Sequence, residues 1–299
     1  MAKCGASPYH GLVSRRLLLA VPLACLGVER GLGSCGGSVL AADVQREQIA
    51  VVERIDDLTP PLTLGMARVV VRAGAVARAA TPRGARVIAV ESGVLAVAVT
   101  TATNQPLTSS AFSPVSPEPE PSDELFVPAG AAITFGSRGV TTVRNPGADA
   151  VVALDVVVYP EAPRPIAHAI TTEDGVSFQL LASASALEAP VGRVTVVLER
   201  IWLGARAALP TDLGTGMTLA RVDAETLSLR PGVGEVFAAR AAVSALSTAA
   251  GSLELIAVGS TLKVTPGGVI FLPAGAEAAI INATQRPADL MTLSVREVA

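Results

Sequence analysis

The chain has 299 residues, enough for two domains of ordinary size, and half of its residues are apolar. Aromatic residues make up only 3%, and the formal net charge is −3. With neither a basic patch nor an RNA-binding aromatic motif, the sequence excludes nucleic acid as an expected partner. Most of the apolar residues are Ala and Val, which favours short, closely packed β-strands over a ligand groove walled by aromatic rings.

Residues 1–42 have the pattern of an export signal. The pair Arg15-Arg16 precedes an apolar run over 17–28, and small residues follow near Ala42. The arginine pair resembles a twin-arginine signal, and an ordinary secretory signal with incidental arginines is the alternative. Because a bilayer span needs about 20 apolar residues, we predict an exported, extracytoplasmic protein (periplasm or cell exterior) with no membrane span.

Cysteine usage agrees with export and yields no disulfide framework. All three cysteines lie in the leader, so a chain cleaved near Ala42 retains none. The segment 32–35 loosely resembles a lipobox, in which Cys35 would carry lipid after cleavage. Glu29 and Arg30 separate it from the apolar run, which disfavours lipidation. A lipid anchor at Cys35 is therefore the minority interpretation.

The first domain is predicted over residues 63–160, after a polar lead-in over 43–62. Two apolar, β-branched runs within 86–99 flank Gly93 and predict a hairpin. The Val-rich run 150–158 is apolar on both faces, as expected of a strand inside a sandwich.

Proline-rich stretches punctuate the rest of the chain. Residues 104–124 contain five prolines mixed with Ser and Glu. Since proline lacks the ladder donor and charges resist burial, we predict a surface loop there. Residues 161–192 have little periodicity and are predicted to form an interdomain crossover, and the second domain follows over 193–299. Its Ala-rich stretch 236–251 predicts a short helix or an edge insertion.

One phrase occurs twice in the chain. Phe-Val-Pro-Ala-Gly-Ala at 126–131 recurs as Phe-Leu-Pro-Ala-Gly-Ala at 271–276. Each copy follows an apolar stretch and precedes an Asn that leads into another apolar run. Two copies of strand, tight turn and next strand predict two copies of one small β-barrel domain.

This arrangement resembles the cupin superfamily, and two copies in one chain resemble a bicupin. The resemblance spans most of residues 64–299. It implies an all-β fold with two antiparallel jelly-roll barrels in tandem.

The second cupin motif is a Pro-x-Gly turn followed by His and then Asn. Its positions here, in order, are Pro273, Gly275, Ala278 and Asn282 in the second copy, and Pro128, Gly130 and Ile133 in the first. Ala278 and Ile133 therefore stand where the family has His.

The first cupin motif runs from a Gly through two His and a Glu to a Gly in a turn. In the first copy, Gly74 and Gly93 match the glycines, and the His and Glu places fall on Ala80, Pro82 and Arg86. The second copy allows two registers. They run from Gly204 to Glu225 or from Gly232 to Gly251, and neither contains a His.

The resemblance implies a metal centre of three imidazoles and one carboxylate, a nitrogen-rich set that borderline metals prefer. The chain has two histidines, His10 in the leader and His168 in the crossover. They cannot supply three ligands to one site, so we predict lost metal sites and no cofactor. A calcium site of carboxylates is the less favoured alternative to solvated turn charges. Its candidates are Asp123, Glu124, Asp149, Asp223, Glu225, Glu277 and Asp289.

The preferred hypothesis is a non-catalytic small-molecule-binding or structural module, with aliphatic side chains filling the barrels. The competing hypothesis is a metal-independent cupin enzyme of isomerase or epimerase type, acting on a small polar or sugar-like substrate. Its base and acid would come from Arg86, Glu91 and Glu225.

Three further residues are candidates for ligand binding. Arg78 and Arg83 follow Gly74 near the expected barrel mouth, where a solvated hairpin loop is the favoured interpretation and binding of an anionic ligand is the alternative. Trp202 is predicted to cap the barrel core in its strand, and stacking on a sugar ligand is the less favoured alternative. Association of subunits into a homo-oligomer is compatible with every one of these hypotheses.

Overall fold

A computed structural model describes the chain over residues 44–55, 58–81, 84–101, 112–114, 124–135, 139–160, 171–173, 175–186, 190, 192–212, 216–239 and 253–298. The described residues form one compact unit. Regular structure in the described ranges is β-strand throughout. Within the same ranges, no helix is long and apolar enough to span a membrane.

The strands of the first part of the chain are β1 (Val44–Ile55), β2 (Leu62–Val71), β3 (Val76–Thr81), β4 (Ala85–Ser92), β5 (Val94–Thr101), β6 (Phe112–Pro114), β7 (Leu125–Pro128), β8 (Ala132–Phe135), β9 (Gly139–Arg144), β10 (Val151–Tyr159), β11 (Thr171–Glu173) and β12 (Val176–Ala186). Those of the second part are β13 (Val194–Leu203), β14 (Ala208–Asp212), β15 (Met217–Ala224), β16 (Leu227–Val233), β17 (Val236–Ala239), β18 (Glu254–Ile256), β19 (Leu262–Val264), β20 (Val269–Leu272), β21 (Glu277–Asn282) and β22 (Ala288–Glu297).

Each half of the chain builds two antiparallel sheets over the described residues. In the first half the orders are β11-β12-β2-β10-β4-β8 and β6-β3-β9-β5-β7. In the second half they are β1-β13-β22-β15-β20-β17-β18 and β14-β21-β16-β19. The central orders β2-β10-β4-β8 and β3-β9-β5-β7 recur in the second half as β13-β22-β15-β20 and β14-β21-β16-β19. This is the strand order of a jelly roll, so the prediction of two tandem jelly-roll barrels is confirmed.

The turn at Gly93 does not close a hairpin, and that prediction is wrong. Strand β4 pairs with β8 and β10, whereas β5 pairs with β7 and β9 in the other sheet. The chain therefore crosses from one sheet of the barrel to the other at this turn. Strands β15 and β16 do the same in the second half. Two apolar runs across a glycine cannot distinguish these arrangements, because both strands bury one face in either case.

Two strands are exchanged between the halves. Strand β1, in the predicted lead-in, pairs with β13 of the second half. Strand β12, in the predicted crossover, pairs with β2 of the first half. Strand β1 precedes β2 in the chain but pairs with β13, the counterpart of β2. Strand β12 precedes β13 but pairs with β2. The larger sheet of the second part consequently contains β1 from the first part, whereas β12, the last strand of the first part, lies in the sheet of β2.

The buried apolar side chains of the described residues form three clusters. One lies inside each barrel, and it includes Val97 and Val143 in the first and Leu227 and Leu272 in the second. The third joins the two halves and contains residues of β2, β4, β10 and β12 together with residues of β13, β15, β20 and β22. Strand β10 serves two clusters at once, which explains why its sequence is apolar on both faces.

Candidate functional site

An asparagine fastens the same pair of turns in each barrel. The Asn145 amide nitrogen donates to the backbone oxygens of Val71 (2.8 Å) and Asp149 (2.7 Å). Its side-chain oxygen accepts from the backbone N–H of Gly147 at 2.9 Å. Because buried backbone carbonyls need a donor, this amide fixes the end of β2 against the turn that follows β9.

Asn282 makes the corresponding contacts in the second barrel. Its amide nitrogen donates to the backbone oxygens of Leu203 (3.0 Å), Gly204 (2.9 Å) and Arg286 (2.7 Å). Its side-chain oxygen accepts from the backbone N–H of Thr284 at 3.0 Å. The motif asparagine is thus a structural clamp between two turns.

The turn contacts also fix how the two halves correspond. The N–H of Ala75 bonds to the carbonyl of Arg72, and the N–H of Ala207 bonds to that of Gly204. Ala207 is therefore the counterpart of Ala75, a shift of 132 residues, and the two asparagines give a shift of 137 residues for the later strands.

This correspondence corrects the register of the first motif. The counterpart of Gly74 (φ 69°) is Arg206 (φ 60°), two residues after Gly204. The counterpart of Gly93 (φ 82°) is Glu225 (φ 61°), which settles the register that runs to Glu225. Arg206 and Glu225 are the positive-φ residues other than glycine among the described residues. Sequence matching placed Gly204 wrongly because it assumed that a left-handed turn position is occupied by glycine.

The repeated phrase occupies different turns in the two barrels. Pro128 ends β7 and Gly130 lies between β7 and β8, whereas Pro273 and Gly275 lie between β20 and β21. The counterpart of Gly130 is Gly267, since their N–H groups bond to the matching carbonyls of Val90 and Val222. The fold is duplicated, but the two copies of the repeated phrase do not occupy corresponding positions in the two barrels.

The His place of the first barrel moves accordingly. Counting back four residues from Asn145, as from Asn282 to Ala278, gives Thr141 on β9 instead of Ile133. The motif places are then Ala80, Pro82, Arg86 and Thr141 in the first barrel and Asp212, Gly214, Thr218 and Ala278 in the second. Pro82 and Gly214 lie outside the described residues.

This donor set does not fit the metal centre that the resemblance implies. It contains no imidazole, and a guanidinium takes the carboxylate place in the first barrel. Among the described residues, no group of three or more His, Cys, Asp and Glu is placed to hold a metal ion. His168 and Asp123 lie outside those residues.

A buried ion pair occupies the interior of the first barrel. The side chain of Arg86 is 0% exposed and that of Asp155 is 5% exposed. Arg86 donates through Nε to Oδ1 (2.7 Å) and through Nη2 to Oδ2 (2.8 Å) of Asp155. Residues alternate between the two faces of a strand, so Arg86 shares the inward face with Ile88. The fork of two charge-assisted bonds compensates the desolvation of both groups.

The second barrel has hydroxyl groups at the same places. Thr218 is the counterpart of Arg86, and its Oγ1 lies 2.8 Å from Oγ of Ser294. Thr292, the counterpart of Asp155, donates through Oγ1 to the backbone oxygen of Glu199 at 3.2 Å. These short side chains line a cavity of about 30 Å³. Where the first barrel is filled by a large ion pair, the second keeps space.

Three charged side chains stand at the edge of this cavity. Glu199 accepts from Nη2 of Arg296 at 3.2 Å and forms an ion pair with Nη1 of Arg46 at 3.8 Å. Arg46 and Arg296 are 45% and 40% exposed, whereas Glu199 is 12% exposed. Arg46 belongs to the exchanged strand β1, so the strand exchange supplies part of this mouth. We call these three residues the second-barrel mouth.

The sequence-predicted candidates do not converge on one site. Glu91 accepts a two-bond contact from Arg68 (3.1 and 3.3 Å), and Glu225 forms a 3.8 Å ion pair with Arg286. Trp202 is half-buried with the guanidinium of Arg200 6.0 Å from its ring centroid. Arg78 lies on β3, and Arg83 lies outside the described residues.

A second group of charges lies where the halves meet. Arg221 and Asp223 form a 2.6 Å ion pair, and burial raises the pKa of Asp223 although Arg221, Arg200 and Arg68 oppose this. Burial likewise raises the pKa of Asp289, which lies 3.6 Å from Nε of Arg200. We call this group the seam cluster.

Among the carboxylates considered for calcium, Glu124 binds a cation from its own barrel. It accepts from Nε (3.1 Å) and Nη2 (2.6 Å) of Arg144. The hydrogen bonds from Arg144 hold the pKa of Glu124 below its usual range. Glu277 is exposed at the start of β21.

Sequence reasoning missed Asp155, although a signal for it exists. Asp155 is the one charged residue in the run 151–158, and Arg86 is the one charged residue in the run 85–90. Lone charges inside buried strands must be paired, which would have predicted their contact. No such signal exists for Arg46, because its proximity to Glu199 depends on the strand exchange.

The fold of the chain is bicupin-like. No protein-family model and no curated protein matches the chain. Similar solved structures include an oxalate decarboxylase from Lactobacillus farciminis in a formate complex (9% identity, TM-score 0.44, 88% of each chain). Others are an 11S allergen from Cocos nucifera (10%, 0.41, 86% of this chain and 90% of that one) and a cupin 2 conserved barrel domain protein from Leptotrichia buccalis (10%, 0.36, 87% and 92%). They include an enzyme and an allergen. Likenesses this distant do not indicate which activity this chain has.

Proposed function

We propose that this chain is an exported, non-catalytic module whose first barrel is structural and whose second barrel binds a small molecule without a metal. The observation that carries the proposal is the ion pair of Arg86 and Asp155. It puts the cation Arg86 at the place where cupins have a metal-binding carboxylate. Arg86 and Asp155 form an ion pair with each other, so Asp155 is not available to bind a metal. A positive charge fixed inside the barrel opposes the binding of a metal cation there.

The enzyme hypothesis receives no comparable support. Arg86 is sealed inside the first barrel, Glu91 is bound to Arg68, and Glu225 lies in a turn of the second barrel. A base and an acid have to reach the same substrate atoms within hydrogen-bond distance. These three groups do not meet that condition together.

The test is elemental analysis of residues 43–299, purified after native export without chelators or a His tag. We expect less than stoichiometric metal, because neither motif set supplies nitrogen ligands. One tightly held transition metal per chain would overturn the proposal. A matched sample of the Asp155→Asn variant shows whether any bound metal depends on the first barrel.

Export is tested on the precursor. Replacing Arg15 and Arg16 together by Lys is expected to stop export through a twin-arginine route, with the uncut chain accumulating in the cytoplasm. Cell fractionation and the mass of the mature N-terminus give the result. Export at the normal rate would favour the ordinary secretory signal. Retention of lipid on Cys35 would favour the lipid anchor.

A further inference from the structure

The second-barrel mouth has more positive than negative charges. Arg46 and Arg296 share the single carboxylate of Glu199, which leaves a formal charge of +1. Among the described residues, no other carboxylate forms an ion pair with either arginine. Each guanidinium has five N–H donors, and one carboxylate at 3.2 and 3.8 Å uses few of them. The mouth is therefore built to accept one further negative charge.

The cavity behind the mouth offers a hydroxyl donor. Thr218 and Ser294 lie 2.8 Å apart, so one hydroxyl donates to the other. The accepting hydroxyl keeps its own hydrogen free, and both residues line the cavity. Thr292 is occupied by the backbone oxygen of Glu199. One O–H donor is thus available to a ligand that also contacts the arginines.

The size and lining of the cavity restrict the class of ligand. About 30 Å³ holds a group the size of one or two water molecules, so sugars and nucleotides do not fit. The remaining walls are apolar, and they comprise Ile201, Leu209, Ala220, Leu272 and Ile280. Apolar walls disfavour strongly hydrated ions, whereas a lowered dielectric strengthens the attraction of the arginines for a single negative charge.

The first barrel provides an internal control for this argument. The counterparts of Glu199, Arg46 and Arg296 are Ala67, Phe178 and Tyr159, which carry no such charge. The excess positive charge is consequently a feature of the second barrel, and it does not follow from the fold itself.

We propose that the second-barrel mouth binds a weakly hydrated monovalent inorganic anion of the halide class, held by Arg46, Arg296 and a hydroxyl of the Thr218–Ser294 pair. The proposal rests on the proposed function, since it names the ligand that a barrel without a metal would hold. Water alone, or a small carboxylate, are the competing occupants.

The test follows the line width of chloride-35 in NMR titrations of residues 43–299. We expect excess broadening that grows in proportion to protein concentration, that decreases as added chloride saturates the site, and that sodium bromide removes. Arg46→Gln and Arg296→Gln should each weaken chloride binding at least about tenfold, because each removes a charge-assisted hydrogen bond. Arg230→Gln, an exposed arginine on β16, is the matched control and should leave the titration unchanged.

Broadening that bromide does not displace, or that persists in both mouth variants, would overturn the inference. Displacement by acetate but not by bromide would overturn the halide class. If a glutamine variant does not fold, Arg296→Lys keeps the charge and should retain part of the binding, and bromide-soaked crystals of the unaltered chain should give an anomalous peak in the cavity. Failure here leaves the metal analysis unaffected, so the two proposals fail separately.

Discussion

The two barrels have the same strand order and solve the problem of a polar interior differently. The first closes its interior with one large buried ion pair, whereas the second uses three small hydroxyl side chains and keeps a cavity. At the left-handed turns the larger residues are in the second barrel, where Arg206 and Glu225 correspond to glycines of the first. A duplicated fold therefore fixes the places where chemistry can occur and leaves the residues at those places free to diverge.

The largest expected difference concerns the ion pair. Arg86→Ala and Asp155→Ala should each lower the free energy of unfolding by about 3–5 kcal/mol, because each leaves a buried charge without its partner. Thr218→Ala, at the matching place, should cost about 1 kcal/mol. Urea unfolding of residues 43–299 measures these values.

A double variant serves as the control for this prediction. Arg86→Met with Asp155→Leu replaces both charges by apolar side chains of similar size and should recover most of the stability. If the single variants cost no more than Thr218→Ala, the pair does not hold the first barrel together.

The asparagine clamps come next in size. Asn145→Ala should cost about 2–3 kcal/mol, since the backbone oxygens of Val71 and Asp149 lose their donor. Asn282→Ala should cost a similar amount, because an amide nitrogen has two hydrogens and the backbone oxygen of Arg286 keeps the Thr284 hydroxyl as a donor. Thermal unfolding measures both variants, and a cost below about 1 kcal/mol for either would contradict its role as a clamp.

The left-handed turns should respond in opposite directions. Gly93→Ala should cost about 1–3 kcal/mol, since the new Cβ would combine a φ of 82° with an approach of 2.9 Å to Val151 Cγ2. Glu225→Gly, at the counterpart, should stabilise the protein by up to about 1 kcal/mol. Its ion pair with Arg286 is long and its partner is exposed, so little is lost there. Destabilisation by Glu225→Gly would mean that the side chain contributes more than its backbone strain costs.

The smallest expected effect is the pH dependence of the seam cluster. Burial raises the pKa of Asp223 and of Asp289, so both favour the protonated form more in the folded state than in the unfolded state. Their contribution to stability therefore increases as the pH falls through the folded pKa and is lost as the pH rises. Asp289→Asn should gain stability relative to the unaltered chain between pH 4 and pH 7, by less than about 1 kcal/mol because the group is partly exposed.

Urea unfolding at several pH values checks this expectation. Glu124 has a pKa lowered by its hydrogen bonds with Arg144, so its contribution is lost on acidification instead. Glu124→Gln is thus a control with the opposite sign. A difference between Asp289→Asn and the unaltered chain that does not change with pH would contradict the prediction.

The two-barrel fold could be predicted from the sequence, because apolar strands separated by tight turns are set by local geometry, although the repeated phrase and the glycine matches were not aligned copies. The turns at Gly93 and Gly130, and the asparagine at 282, are local features of this kind. The exchange of β1 and β12 could not be predicted, since β13 and β2 present similar apolar faces and their sequences do not specify which strand pairs with which. The second-barrel mouth depends on that exchange through Arg46, so it could not be predicted from the sequence.

The exchange of β1 also constrains how the protein is made. Its partner strand β13 lies about 150 residues later in the chain, as the pairing of Val51 with Val197 illustrates. Strand β1 must consequently wait for its partner until synthesis has passed Leu203, the end of β13. Such distant pairing slows folding and keeps apolar strand edges uncovered for longer. Strand β1 has no partner strand until then, and a truncated product that contains only the second part would lack β1, the edge strand of its larger sheet.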